Sequence, residues 1–458
     1  MGYTGPAKQS GGSRQRPSGK GAFASGFIGR ATQALATSVA ILTCNAITGI
    51  VLARSLQPTA RGSLAAAILW PAFLSTLVAV GVADAITYRS SKHPQERGSL
   101  ISTGLLLAAV SSAAAIAIGL LVLPRVLFHY GSETVTSSEL FLLYVPLYLS
   151  WQNLSAVLLG ALQTADFNLA RTLLVVVTAV GIVLLAVAHE SSIRAVIAVY
   201  LVANASTLGF VVWRVMRLEP QGWRPSVRVG RAILSFGVRS HLGTVSGYTN
   251  EYADQAVVSV VLPAAQLAYY AIAVSIVAPM AQFGSSLGMM AMPSVASQGE
   301  VHTQATNLSR YTRVTFALEA GLAIVVIAVV PLVIAILFGD AYEPAASSAR
   351  ILAVAAVFLG ANRILSAGLR ALNRPLTAGN ASLLASVVTV AGLFILIPQF
   401  GIIGAAMVSL VAYAVVTVFM SWALYRVVGV SPVALLVARP SDFRTIMRRL
   451  FERKPSLK

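Results

Sequence analysis

Apolar residues run through this chain in long blocks, and those blocks say more than any short-range alternation. Mostly apolar runs recur twelve times, at about 31–56, 62–88, 98–123, 138–163, 167–188, 193–216, 231–261, 264–293, 310–338, 346–370, 376–398 and 401–426. A helix that crosses a bilayer needs about 20 such residues, so each run predicts one spanning helix. The runs are broken at Pro58, Lys92 to Gly98, Pro124, Asp166, Glu190, Pro220 to Gly230, Pro263, Gln298 to Gln304, Gly339 to Pro344, Pro375 and Gln399 to Gly401. These are the helix-ending or polar residues that mark connections. The first run is too long for a signal-peptide core and no cleavage pattern follows it, so it reads as a retained span.

Composition agrees with this reading. Of the 458 residues, 57% are hydrophobic and 10% are charged, where a water-soluble domain carries about 25% charged residues. The net charge of +18 raises nucleic acid as a partner, but the basic residues sit in short segments between apolar runs. They form no basic domain interleaved with aromatics, and nucleic-acid binding is excluded. Cys44 is the single cysteine, which rules out an intramolecular disulfide or a cysteine-based metal cluster. It reads as a small buried hydrophobe.

Lys and Arg orient the chain. With the amino terminus inside, 26 basic residues fall in inner segments and five (Arg54, Arg61, Arg125, Arg194 and Arg350) in outer ones; Arg239 and Arg363 lie within spans, which accounts for all 33. Both termini are therefore expected in the cytoplasm of a bacterial inner membrane. The expected organisation is a disordered basic tail over 1–30, a six-helix half over 31–216, a linker over 217–230, a second six-helix half over 231–428 and a basic tail over 429–458. Phe443, Ile446, Met447, Leu450 and Phe451 share one stripe of that tail, opposite its arginines, as in an amphipathic helix on an anionic leaflet.

The division into halves rests on an internal repeat. Pro58 pairs with Pro263, and Asn45 with Asn250, at an offset of 205; Ala161-Leu162-Gln163 pairs with Ala371-Leu372-Asn373 at 210. The sixth and twelfth runs close on Trp213-x-x-x-Arg217 and Trp422-x-x-x-Arg426, offset 209. The fold expected is all-α: about twelve transmembrane helices in two parallel halves around a central cavity, related by an axis along the membrane normal.

Charges inside a bilayer are costly and face a cavity or a partner. Arg239 and Arg363 are candidates for holding an anionic group of a substrate, joined by Asn362 and, at the repeat offset, by Gln152 and Asn153. Glu251 and Asp254, three residues apart in the seventh run, are candidates for coupling to a proton or a sodium ion; an ion pair between Arg363 and either acid is the structural alternative. Asp84, Arg89 and His241 lie nearer the cytoplasmic interface, where such side chains snorkel. Glu319 is a lone acid of the ninth run that suits helix packing and an ion site equally. Gln282 and Asn45 fit interhelical hydrogen bonding. Met280, Met289, Met290 and Met292 cluster in the eighth run and fit plain packing. No further cofactor is expected.

Several stretches resemble the polysaccharide-export, O-antigen flippase type, branch of the multidrug/oligosaccharidyl-lipid/polysaccharide (MOP) flippase superfamily. They are LARSLQPTARGSLAAA (52–67), GVADAITYRS (81–90), YADQAVVSVVLPAAQLAYYAIAVSI (252–276), FGDAYEPAASSARILAVAAVFLGANRILSAGLRALNRP (338–375) and IPQFGIIGAAMVSLVAYAV (397–415). The likeness runs over nearly all of the chain from about residue 31. It implies a MATE-like transporter, not an enzyme, that turns a lipid-linked oligosaccharide on a polyprenyl pyrophosphate carrier across the inner membrane by alternating access. Glycosyltransferases and a polymerase of the same pathway are the partners it implies, alongside membrane lipids. It also points to an acid in the seventh span just before the VVSVVLP stretch, here Asp254, and to cavity cations of the Arg239 and Arg363 type. The first run, Ala31 to Val51, holds none of the acids that bind cations in related multidrug exporters, which argues against a coupling site there. Physics fits the resemblance, because a fork-shaped Arg suits a pyrophosphate. Other readings are a multidrug or small-molecule cation antiporter of the same fold, favoured by an aromatic- and Met-lined cavity with one dominant acid, and a membrane scaffold for cell-envelope enzymes. A membrane-embedded enzyme is disfavoured, since there is no large extramembrane loop and no GxSxG, HExxH or Walker-type motif.

Overall fold

A computed structural model describes residues 19–219, 223–296, 301–372, 374–429 and 431–437. The tail before Gly19, the centre of the linker, Asn373 and the amphipathic helix expected beyond 440 lie outside the described residues, as do the side chains of Asn250, Met289, Met290 and Met292. Among the described residues every regular element is helical.

Fourteen helices follow one another: α1 (Gly19–Ser55), α2 (Pro58–Val78), α3 (Val82–Lys92), α4 (Arg97–Val126), α5 (Ser132–Phe141), α6 (Tyr144–Gly160), α7 (Thr164–Val187), α8 (Ile193–Leu218), α9 (Val227–Val261), α10 (Ala264–Ala296), α11 (Val301–Val333), α12 (Ala345–Ala371), α13 (Pro375–Val428) and α14 (Pro432–Leu436). Ten helical stretches are long and apolar enough to cross a bilayer. One of them is α13, which contains the last two expected spans; α9, with Arg228, Arg231, Arg239, Glu251 and Asp254, is not among the ten, yet it covers the seventh expected span as one continuous helix. The twelve runs are therefore all helical, and the chain is a multi-pass membrane protein. One end of the bundle carries Arg89, Arg97, Arg217 and Arg426 and is called the basic end below; Arg54, Arg125 and Arg350 mark the far end.

Four boundaries differ from expectation. Helix α1 begins at Gly19, inside the segment expected to be an irregular tail, and no proline interrupts the chain between Pro17 and Pro58. The run 62–88 is two helices, since Val80 and Gly81 both take positive φ (47° and 65°). Gly81 is required there: α9 passes so close that a Cβ would collide with the Gly237 carbonyl. The run 138–163 breaks at Leu142–Leu143 into α5 and α6. The last two runs have no loop between them, and α13 instead folds back at Gly401 (φ 56°, ψ −135°), just after Pro398.

In the first half α1 packs on α7, while α3, α4 and α8 pack on α6; in the second α10, α11 and α13 all pack on α12. Buried alanines such as Ala66, Ala67, Ala353, Ala356, Ala405 and Ala406 line these contacts. Lipid tails are as apolar as any core, so helices gain by close approach over small residues rather than by hiding large ones. Large apolar side chains point outward accordingly: Leu121 is 64% exposed and Ile324 70%. The halves meet where α2 packs on α10 and where α9 packs on α2, α3 and α4.

The repeat is visible in the geometry. Helices α2 and α10 both start at a Pro-marked break, at Pro58 and just after Pro263. At the basic end the Arg217 guanidinium stands 4.2 Å over the Trp213 ring, and Arg426 stands 4.4 Å over Trp422. The same cation–π anchor thus closes each half.

Candidate functional site

The candidate acids lie in the middle of α9, and the turn at Leu262–Pro263 brings α10 back beside them. Asp254 is buried; its Oδ2 accepts from the Tyr270 hydroxyl at 2.5 Å and its Oδ1 from the Gln255 amide at 2.7 Å. Glu251, one turn earlier, is exposed. The second limb of α13 brings Tyr413 within the electrostatic reach of Asp254, Glu251 and Arg363 together. Arg363 itself is half-buried on α12, with its Nε enclosed and without an acceptor among the described residues. Three of the predicted residues are therefore gathered in the second half, with Tyr270 and Tyr413 between them. The expected alternative of a Glu251 or Asp254 ion pair with Arg363 is not formed among the described residues.

Asn153 and Arg239 lie elsewhere, and Asn362, though next to Arg363, is spent on the helix behind it. The Asn153 amide donates to the Gly104 carbonyl on α4 at 2.9 Å, which ties α6 to α4. Asn362 donates to the Tyr413 carbonyl at 3.0 Å, and its Oδ1 accepts from Thr417 at 2.8 Å, which ties α12 to α13. Both amides are taken up by neighbouring helices and serve as interhelical links, as polar groups inside a bilayer do. Gln152 is half-buried. Arg239 is exposed at the basic end, on a groove of about 880 Å³ between α4 and α9. Arg231 also lines that groove, and Leu106, Leu107, Leu234 and Val238 make most of its wall.

The remaining polar candidates are accounted for individually. Asp84 is exposed in the first turn of α3, where a negative charge complements the helix dipole. Arg89 pairs with Glu96, and the His241 Nε2 meets the Leu77 carbonyl at 2.9 Å. Asn45 is exposed, Gln282 is exposed and partnered, Met280 is buried and Cys44 is half-buried rather than buried. Glu319 is 0% exposed. Among the described residues no three His, Cys, Asp or Glu side chains gather as a metal site would need.

Two features were not expected. The first is an aromatic seam between the halves. Trp70 and Phe73 of α2 are 6.1 Å apart, Phe73 and Tyr248 5.8 Å, and Tyr248 and Tyr252 4.4 Å. On α6, Tyr144 stacks on Tyr148 at 5.1 Å, and both interact electrostatically with the α9 tyrosines. The i, i+4 spacing of Tyr144/Tyr148 and Tyr248/Tyr252 was the available signal, since it puts each pair on one helix face.

The second is a latch across the halves at the far end. Arg54, at the end of α1, donates through Nε to the Leu337 carbonyl at 3.0 Å and through Nη2 to the Ala335 carbonyl at 3.5 Å, with Ile336 as a third acceptor. These carbonyls belong to the wide π-type turn Ile334–Phe338 that follows Pro331. Beside them the buried Tyr342 hydroxyl donates to the Leu56 carbonyl at 2.8 Å. Burial pushes the Tyr342 phenol up to about 12, so it stays protonated and able to donate throughout the physiological range.

Residues 51–347 match the sequence model of the family described as "Polysaccharide biosynthesis protein". The probable low-salt glycan biosynthesis flippase Agl15 of Haloferax volcanii is 24% identical over 351 residues, which are 74% of this chain and 71% of that protein. Among solved structures, the lipid II flippase MurJ in its inward closed conformation superposes with a TM-score of 0.73 at 15% identity over 94% of both chains. A multidrug resistance MATE family transporter of the MOP superfamily, in its inward-facing conformation, gives 0.63 at 16% identity over 84% of this chain and 94% of that one. These likenesses establish a MATE-like transporter fold.

Proposed function

The chain belongs to the polysaccharide biosynthesis protein family, and on that premise we propose that it flips a polyprenyl pyrophosphate-linked oligosaccharide across a bacterial inner membrane by alternating access. Arg363 carries this reading. It is a half-buried guanidinium within the second half, free of an internal acceptor among the described residues and beside the Tyr413–Asp254 cluster. A permanently charged, forked donor held in reserve inside a membrane suits a pyrophosphate that must cross.

Other features support the same reading. The distribution of Lys and Arg supports a cytoplasmic basic end with both termini on that side. The α4–α9 groove then opens at the cytoplasmic side with Arg231 and Arg239 over an apolar floor, which fits a phosphate head and an isoprenoid chain. Asp254, held by Tyr270 beside exposed Glu251, is the site at which a proton or a sodium ion would couple to transport. Glycosyltransferases that build the substrate and a polymerase that consumes it are the enzymes such a protein works between.

The aromatic seam with Glu251 at its edge favours a second reading, transport of a small organic cation, since ring faces and one acid suit a cation. Proteoliposomes holding a fluorescent polyprenyl pyrophosphate-linked oligosaccharide separate the two, with flipping read by an impermeant quencher. Wild type is expected to flip the lipid. Removal of one charge-assisted contact costs about 1.5–3 kcal/mol, so R363A is expected to be roughly 10- to 150-fold slower with insertion unchanged, and D254A to lose coupled flipping. Wild-type rates in both variants would sink the site assignment. Movement of a hydrophobic cation but not of the lipid would establish the second reading instead.

A further inference from the structure

Glu319 is a buried acid that the reading above leaves unused. It sits on α11 facing the contact between α10 and α12, where Gly284 and Gly360 leave both backbones bare. The two backbones nearly touch: a Cβ on Gly284 would lie 2.8 Å from the Gly360 Cα and 2.5 Å from the Glu319 Oε1. A Cβ on Gly360 would collide with the carboxyl outright. The two glycines therefore form a slot that holds the carboxyl group and no more. Neither oxygen has a donor among the described residues.

One turn further along the same seam is Arg363. It follows Gly360 by three residues on α12, and its carbonyl lies 3.4 Å from where a Cβ on Gly288 would be, four residues after Gly284 on α10. Residues three and four apart share a helix face about 5–6 Å apart, so the Glu319 carboxyl and the Arg363 backbone sit on consecutive turns of one seam. They form no ion pair in this conformation, and the Arg363 Nε is also without a partner. The charge of Arg363 nevertheless reaches Glu319, and Arg363 is the charged group that acts on it among the described residues. From α10 the facing residue is Gly284, which does not titrate. On α11 itself Arg313 is six residues away and engaged elsewhere. Tyr413 of α13 lies within the electrostatic reach of Arg363, Asp254 and Glu251 alike.

A carboxylate shut in such a slot without a donor is costly, and a group so placed takes up a proton instead. A deprotonated Glu319 needs a partner, and Arg363 is the cation whose charge reaches it. We propose that Glu319 is a proton-binding site whose occupancy decides whether Arg363 is free to hold an anionic substrate. With the proton bound, Glu319 is neutral and Arg363 faces the Tyr413 side with its charge unspent. Loss of the proton to water leaves a carboxylate that draws the guanidinium into a bidentate pair and withdraws it from the anion. The second half would thus bind its anion and its proton together, from opposite sides of one arginine. The anion-binding part rests on the flippase reading; the proton site stands apart from it.

Infrared titration of the full chain in nanodiscs tests the proton site without substrate. The expected result is a protonated-carboxyl band that E319Q removes, that fades as the pH rises, and that persists to higher pH in R363A but behaves as wild type in R363K. Absence of a band removed by E319Q, or a titration indifferent to R363A, overturns the proton site. A second measurement takes the affinity of each protein for a sugar-free polyprenyl pyrophosphate as a wild-type to E319Q ratio at each pH, which cancels the titration of the ligand itself. The two proteins are expected to bind alike at low pH, with E319Q about tenfold tighter at high pH, the size of one charge-assisted hydrogen bond. A ratio that stays at one at every pH overturns the link to Arg363. If neither protein binds the lipid at any pH, the flippase reading fails along with that link, and the infrared titration decides the proton site alone.

Discussion

The latch at the far end gives the sharpest test of how the halves move. It joins the end of α1 to the α11–α12 connection through Arg54 on the carbonyls of Ala335, Ile336 and Leu337, and through Tyr342 on that of Leu56. The two parts differ in value. Arg54 is exposed, so its charge-assisted bonds are screened and contribute about 1 kcal/mol in all. The Tyr342 bond is buried, and its loss contributes about 1 kcal/mol more with the Leu56 carbonyl left without that donor. Together R54A and Y342F should shift the balance between closed and open far ends by about 2 kcal/mol, or roughly 30-fold. Glu133, in the first turn of α5, and Glu343, in the α11–α12 connection, are exposed at the far end of the two halves. Spin labels on cysteines placed at these positions, with Cys44 replaced by Ser, report the opening as a distance distribution. Wild type should give one short distance, and the double variant a second, longer population. An unchanged distribution in the double variant would refute the latch as a gate.

Two further outcomes follow from packing. N362L removes both the bond to the Tyr413 carbonyl and the acceptor of Thr417; at about 1 kcal/mol per bond it should lower the thermal unfolding midpoint in detergent by several degrees, while N45L, at an exposed position, should leave it unchanged. G81A forces a side chain into a left-handed turn pressed against Gly237, so beyond the intrinsic cost of about 1–2 kcal/mol it should push α3 off α9, which proteolysis at the α2–α3 turn would detect.

Much of this architecture was legible because a bilayer imposes one length on every crossing helix, and the apolar runs record it. The repeat was legible too, since Trp213–Arg217 and Trp422–Arg426 reappear as matched anchors. The turn at Val80–Gly81 was not: it interrupts an apolar run and is set by a helix some 150 residues away in sequence. Glu251, Asp254 and Arg363 stood out as charges where charges are costly. What surrounds them did not stand out, because Tyr270, Tyr413 and the tyrosine seam come from separate helices, and single tyrosines are unremarkable in a membrane sequence. Asn362 entered the candidate site as the neighbour of Arg363, and Asn153 through the repeat offset, but neither signal tells an amide open to a cavity from one spent on a neighbouring carbonyl. Glu319 was visible as a lone acid; its slot depends on Gly284 and Gly360 from two other helices.

The fold-back of α13 at Gly401 gives the two halves unequal compliance. In the first half the corresponding helices α7 and α8 are joined by five residues, 188–192, which put more backbone torsions between the two helices than a single glycine does. In the second half a single glycine joins the two limbs, and Asn362 and Thr417 fasten the returning limb to α12. A tilt of one limb must therefore be carried into the other and on into α12, which bears Arg363. The second half moves as one lever with its charged residues aboard, while the first supplies the give.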